Sequence, residues 1–215
     1  SLVANFASTQ VTLTVVSAYA GATPGGQSLN YGTATSQRIT NSPVLNGTTQ
    51  YVCTGGAVAG NAYTQANPTN VALTLTNNAT LTWAWQTNYW LQAGASGNGT
   101  VAPTGGWCRA GSNVVVTATP NANAVFAGWS GDVAGNTNLP VTTASMSRAR
   151  SLVANFASTQ VTLTVVSAYQ GASPGGQSLN YGTATSQSIT NSPVMNGTTQ
   201  YVCAGGAVAG NAYTQ

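Results

Sequence analysis

The sequence predicts an all-β protein made of tandem small modules, β-sandwich or β-grasp-like, strung into an extended array. Three observations predict this. Apolar residues alternate with Thr, Ser and Asn along short segments, the period-2 signature of a half-buried strand. Clusters of Gly, Asn, Pro and Ser punctuate those segments and mark turns. Residues 1–65 return at 151–215 with five changes, Ala20/Gln170, Thr23/Ser173, Arg38/Ser188, Leu45/Met195 and Thr54/Ala204, which gives a period of 150. Repetition at that fidelity points to an array in which each unit stacks on its neighbours. Ser1 and Gln215 both fall in mid-repeat, so the sequence reads as a window on a longer array.

The elements follow in order. In VTLTVV, Val11, Leu13 and Val15 share one face of a strand, because side chains two apart point the same way. ATPGGQ then reads as a turn. QRITN and QYVC read as strands, with the tip of NSPVLNGTT at 46–48 as the hairpin between them. TGGAVAGN and NPTN break the chain before VALTLT, where Val71, Leu73 and Leu75 align. After TNN, TLTWAW aligns Leu81, Trp83 and Trp85. APTGG is the next turn, and SLVANF aligns Leu152, Ala154 and Phe156 on a closing strand.

A weaker repeat lies inside each unit. LNYGTATSQRITNSP at 29–43 resembles GWCRAGSNVVVTATP at 106–120. QYVCTGGAVAGN at 50–61 resembles VFAGWSGDVAGN at 125–136, and ALTLTNNATLTWAW at 72–85 resembles VTTASMSRARSLVANF at 141–156. The expected organisation is therefore 1–9 as the last strand of a preceding module, 10–87 as module A, 88–157 as module B and 158–215 as an incomplete second module A. Each module offers only a thin core, so burial against neighbours is expected to add stability.

The run from VTATP through FAGWSGD to the closing SLVANF resembles the bacterial internalin B-repeat-like, or divergent B-repeat, modules. Residues 101–156 carry the whole pattern, and module A carries a degenerate one with TGG at 54–56 where WSG would stand. The resemblance implies spacers, stalks and surface arrays of very large secreted proteins, hence an extracellular or cell-surface location. It says little about a ligand.

Composition narrows the chemistry. The charged residues are Arg38, Arg109, Arg148, Arg150 and Asp132, with no Lys, Glu or His. Soluble domains carry about 25% charged residues, against 2% here. A net charge of +3 spread this thinly makes no footprint for nucleic acid, and no apolar run reaches the ~20 residues of a membrane helix. Catalysis needs an acid, a base or an activated nucleophile. Asp132 alone supplies none of these pairs and reads as a turn residue that caps backbone N–H groups. The chain is thus expected to be no enzyme and to need no metal or cofactor. Self-association into fibres, adjacent repeats of the same chain and glycan are the expected partners.

Three sets of candidate residues remain. Cys53 and Cys108 give an even number per unit, which suits a disulfide in an oxidising compartment. Cys53–Cys108 and Cys108–Cys203 are both open pairings, and buried free thiols are the alternative. Asn46, Asn78, Asn98 and Asn196 stand in Asn-x-Ser/Thr acceptor patterns. Trp83, Trp85, Tyr89, Trp90 and Trp107 crowd around the module junction. They read either as core, since Trp83 and Trp85 share a face with Leu81, or as a sugar-stacking surface of an adhesive module.

Overall fold

The computed structural model describes residues 9–133 and 137–210. The strand expected over 1–9 lies outside the described residues, apart from Thr9. Among the described residues the chain is all-β, without a helix.

Nine strands run through the first 96 residues: β1 (Gln10–Val16), β2 (Ala22–Thr23), β3 (Gln27–Asn30), β4 (Thr33–Ile39), β5 (Val44–Asn46), β6 (Thr49–Ala59), β7 (Tyr63–Asn67), β8 (Asn70–Leu75) and β9 (Ala79–Ser96). Six more follow: β10 (Gly99–Ala102), β11 (Gly105–Arg109), β12 (Asn113–Pro120), β13 (Ala124–Gly131), β14 (Val141–Ser145) and β15 (Arg150–Ser158). The second copy adds β16 (Gln160–Leu163), β17 (Ala172–Ser173), β18 (Gln177–Asn180), β19 (Ser188–Ile189), β20 (Val194–Asn196) and β21 (Thr199–Tyr201). Alternation sets the faces. Val71, Leu73 and Leu75 of β8 are buried while Ala72 and Thr74 are exposed. The hairpin expected at 46–48 joins β5 to β6, with Asn46 opposite Thr49. The strand before it is β5, because the segment read as QRITN ends its pairing at Ile39.

β9 organises the rest. It is 18 residues long, where strands usually run about 5–6, and it spans roughly 56 Å at 3.3 Å per residue. Its first half pairs in parallel with β1 (Leu13 opposite Ala79) and antiparallel with β6 (Ala59 opposite Thr80 through Thr49 opposite Tyr89). Its second half pairs antiparallel with β11 (Asn88 opposite Arg109 through Gln92 opposite Gly105) and in parallel with β15 (Leu91 opposite Arg150). Asn88 and Tyr89 are paired on both sides at once, with β6 on one edge and β11 on the other. The boundary expected between 87 and 88 therefore falls inside an unbroken strand.

Each half of β9 serves a module of the same plan. In module A the first strand, β1, lies between antiparallel β3 and the parallel closing strand, and β6 flanks that closing strand. In module B the second half of β9 is the first strand, with antiparallel β11 on one side and parallel closing strand β15 on the other, and β13 flanks β15. A second sheet faces each: β2-β4-β8-β7 in module A and β10-β12-β14 in module B. The segments that resemble one another in sequence occupy equivalent strands: β3–β4 and β11–β12, β6 and β13, β8–β9 and β14–β15. One core gathers Val11, Leu13, Ile39, Cys53, Val71, Leu73, Leu75, Leu81 and Trp83. The other gathers Leu91, Val101, Val116, Trp129, Met146, Leu152, Ala154 and Phe156. Leu81, Trp83, Leu91 and Ala93 all occupy odd positions of β9, so one face of one strand feeds both cores.

The two cores hold their central tryptophan on opposite strands. β6 and β13 each bulge, between Cys53 and Gly55 and between Phe126 and Gly128. A bulge leaves one residue unpaired and forces an unusual backbone angle, met here by Gly55 at φ +149° and Gly128 at φ +132°. The next residue points inward. In module B it is Trp129, opposite Ala154. In module A it is Gly56, opposite Trp83. The equivalent of Trp129 is thus Gly56, two residues away from the TGG-for-WSG matching read from sequence. A Cβ on Gly56 would lie 2.7 Å from Leu81 Cδ1 and 2.9 Å from Val71 Cγ2. Large faces small in both modules, with the strands exchanged.

The second copy shows what β8 and β9 contribute. Its hairpins keep the first copy's register: Gln160 opposite Asn180 as Gln10 opposite Asn30, and Ala172 opposite Ile189 as Ala22 opposite Ile39. The Gln187 amide holds both backbone polar groups of Gly175, as Gln37 holds Gly25. Without equivalents of β8 and β9, the seven residues of β4 shrink to two in β19, and the eleven of β6 to three in β21.

The exchange of large and small predicts a strong coupling. Trp83→Ala should cost about 3–5 kcal/mol as a cavity mutation, and Gly56→Trp should cost at least about 1–3 kcal/mol by overpacking. Combined, they recreate the module B arrangement, and the double variant should be more stable than the sum of the two by over about 2 kcal/mol. Urea unfolding followed by Cys53 exposure measures this, and simple additivity would contradict the assignment.

Candidate functional site

The aromatic candidates separate by face where β9 crosses from one module to the other. Trp83 points inward and is 3% exposed. It is core and is unavailable to a sugar. Its indole N–H is buried with no hydrogen-bond partner among the described residues, whereas that of Trp129 donates to the Leu139 carbonyl at 2.9 Å. Trp85, half-buried, donates its indole N–H to Ser17 Oγ at 3.1 Å and takes the edge of Tyr19 at 4.9 Å. Tyr19 in turn stacks on Tyr51 at 4.4 Å. Tyr89 packs against the core of module B.

Trp90 and Trp107 lie on the other face. They are cross-strand neighbours on β9 and β11, set edge to face at 5.2 Å, and Trp90 is 37% exposed. Even-numbered Gln86 and Asn88 share that face of β9. Gln86 Nε2 donates to Asn88 Oδ1 at 2.8 Å, and Asn88 Nδ2 donates to Gln50 Oε1 of β6 at 3.1 Å. An indole pair beside a run of amides offers one apolar face and several polar groups, the kit for stacking and hydrogen-bonding a neutral sugar. The edge-to-face angle keeps the two rings from forming one flat platform. The sequence did not single out Tyr19, Tyr51, Gln50 or Asn88 as members of these clusters. One signal was available: Tyr19 and Tyr51 recur as Tyr169 and Tyr201, which stack in the second copy at 4.6 Å.

The disulfide expectation is corrected. Cys53, Cys108 and Cys203 are all free thiols. Cys53 sits opposite Trp85 and Cys108 opposite Tyr89, on strands flanking the two edges of β9. Two strand spacings across and four residues along place them roughly 16 Å apart, where a disulfide tolerates Cα separations of about 7 Å. Cys53 is buried, and its thiol donates to the Pro68 carbonyl at 3.2 Å. Burial pushes the Cys53 and Cys108 thiols up from their ordinary range. All four Asn acceptors are exposed. Asn46 and Asn196 sit at hairpin ends, the Asn78 side-chain oxygen accepts from Thr12 N–H at 2.9 Å, and the Asn98 amide donates to Ala122 O.

Asp132 follows the GWSG segment, which is strand β13 and not a turn. Its Oδ2 accepts from Ser151 N–H at 3.0 Å on neighbouring β15, and Oδ1 accepts from Arg148. The Ser151 N–H, then Arg148, hold its carboxyl below the usual range.

Two outcomes follow. Under native, non-reducing conditions a thiol reagent should modify exposed Cys203 first and half-buried Cys108 later, and reach Cys53 only on unfolding. Mass spectrometry that finds a Cys53–Cys108 link would contradict the register. For Asp132 the folded pKa lies below the unfolded value of about 3.9, so its stabilisation is complete above that value and is lost as pH falls through the folded pKa. With Arg148 61% exposed, the effect should stay within about 1 kcal/mol. Thermal melts from pH 5 to 2.5 should show it in the parent and not in Asp132→Asn.

No curated protein and no solved structure matched the chain. Residues 89–160 match the family described as the divergent InlB B-repeat domain. That segment runs from the second half of β9 through β15 to the start of β16, with Trp129, Asp132 and Phe156 at the positions that carry the GWSGD pattern and the closing aromatic. The chain therefore contains, over residues 89–160, a member of the divergent InlB B-repeat family.

Proposed function

We propose that this chain is a structural segment of an extended repeat array in a large bacterial surface or secreted protein, a spacer that holds its neighbours at a set distance and angle. The observation that carries the reading is β9. Adjacent modules share a strand paired on both edges at Asn88 and Tyr89, so they meet without a linker. Trp85, Tyr19 and Tyr51 brace one side of the crossing, and Trp90 and Trp107 the other. The family of residues 89–160 supports a surface repeat module. Lateral association into fibres is part of the same reading. Edge strand β7 is exposed along its whole length and pairs only with β8, and the sequence has no Lys or Glu to guard such edges.

A second reading, an adhesive surface that takes glycan, draws on Trp90 and Trp107 alone among the junction aromatics. Titration of the chain with neutral oligosaccharides, read by tryptophan fluorescence in the parent and in Trp90→Ala, separates the two. A change abolished by Trp90→Ala favours adhesion.

The spacer reading is tested at the crossing. With spin labels at exposed Ser36 and Thr143 in a cysteine-free background, the parent should give one narrow distance distribution. Two glycines inserted between Thr87 and Asn88 should broaden it several-fold while both modules stay folded. A parent as broad as the insertion variant would overturn the reading. Association should depend little on salt, because there are few ion pairs to screen. Sedimentation across a salt series checks this.

A further inference from the structure

The second copy presents an acceptor face whose complement is visible in the first. There β8 pairs along β4, from Thr33 opposite Leu75 to Arg38 opposite Asn70, and β9 pairs along β6 and β1. The corresponding stretches 183–187, 202–208 and 164–166 carry no strand pairing. The side chains respond as an uncovered core does. Val11 is 9% exposed and its counterpart Val161 46%. Cys53 is 2% exposed, whereas Cys203 is exposed. Gln37 is fully buried, and Gln187 is exposed. At Gly56 an added Cβ would meet Leu81, Val71 and Trp83, the last at 3.2 Å, while at Gly206 it would meet nothing within 4 Å. Gly206 thus marks open space where the first copy holds a tryptophan. The described chain has two acceptors and a single donor, and that donor is already folded into the first.

We propose that the open face of residues 160–208 is a binding site for an extended polypeptide segment with the sequence pattern of Asn70–Gln86. Its 70–75 part pairs antiparallel with 183–188. Its 79–86 part runs antiparallel to 202–209 and parallel to 163–166. The partner is a segment carrying this repeat sequence and not yet folded into a module of its own, because a segment withdrawn from a complete module would uncover as much core as it covers. Main-chain pairing supplies affinity, as in other strand-addition sites. Selectivity comes from the tryptophan equivalent to Trp83, which fits only over a residue without a side chain, Gly206. Leucines equivalent to Leu73, Leu75 and Leu81 close over Leu163 and Ile189.

The test uses the whole chain and a synthetic peptide with the sequence of residues 69–87, and reads maleimide alkylation of each cysteine by mass spectrometry. Cys203 should become protected by about tenfold or more, toward the behaviour of Cys53, while Cys108 is unchanged. The peptide with Trp83→Ala should protect far less, and the chain with Gly206→Leu should not be protected by the parent peptide. The proposal is overturned if saturating peptide leaves Cys203 at its original rate, or if a scrambled peptide protects it equally. Full protection by the Trp83→Ala peptide would overturn the role of Gly206.

Discussion

A strand that passes from one module into the next has to keep its peptide groups hydrogen-bonded at the passage, because half-buried backbone left unpaired is costly. β9 meets this by handing its edges over in sequence. β6 holds one edge as far as Tyr89, and the Thr48 carbonyl accepts the N–H of Trp90 before β15 takes over at Leu91. On the other edge β11 begins at Asn88, and Ala110 N–H reaches the Thr87 carbonyl. The coverage overlaps by two residues, and that overlap fixes module B on module A. Both bulges sit in the neighbours, β6 and β13, so the face of β9 never changes phase.

The exchange of tryptophan and small residue between strands follows from having one cavity to fill at a fixed point of the fold. The inward position after each bulge and the one opposite it share that space, so either strand can supply the bulk if the other yields. The choice carries chemistry with it. Trp129 finds the Leu139 carbonyl for its N–H, and Trp83 finds no partner, a penalty of about 1–3 kcal/mol by general experience. Module A also has the additional strand β7.

Much of the fold was legible because alternation states directly which residues face inward. Val71, Leu73, Leu75, Leu81 and Trp83 are buried as the pattern required, and Phe156 closes the second core. The boundary between 87 and 88 was drawn where composition shifts, but the odd-numbered phase that runs from Leu81 through Tyr89 to Ala93 already implied one strand. The tryptophan equivalence was displaced because a bulge inserts a residue that periodicity alone does not reveal. Counting cysteines misled for a different reason. Parity says nothing about which edge of a strand each residue faces, and Cys53 and Cys108 belong to opposite neighbours of β9. The aromatic cluster was visible as a group, yet only odd and even numbering along β9 divides core Trp83 from outward Trp90.

Backbone hydrogen exchange across β9 tests the shared strand most directly. The account predicts that the amides from Gln86 to Trp90 are protected to the same order as those of Leu81 and Leu91, because each lies in a paired stretch of one continuous strand. Fast exchange confined to Gln86–Trp90, between two protected halves, would show a hinge there and contradict it.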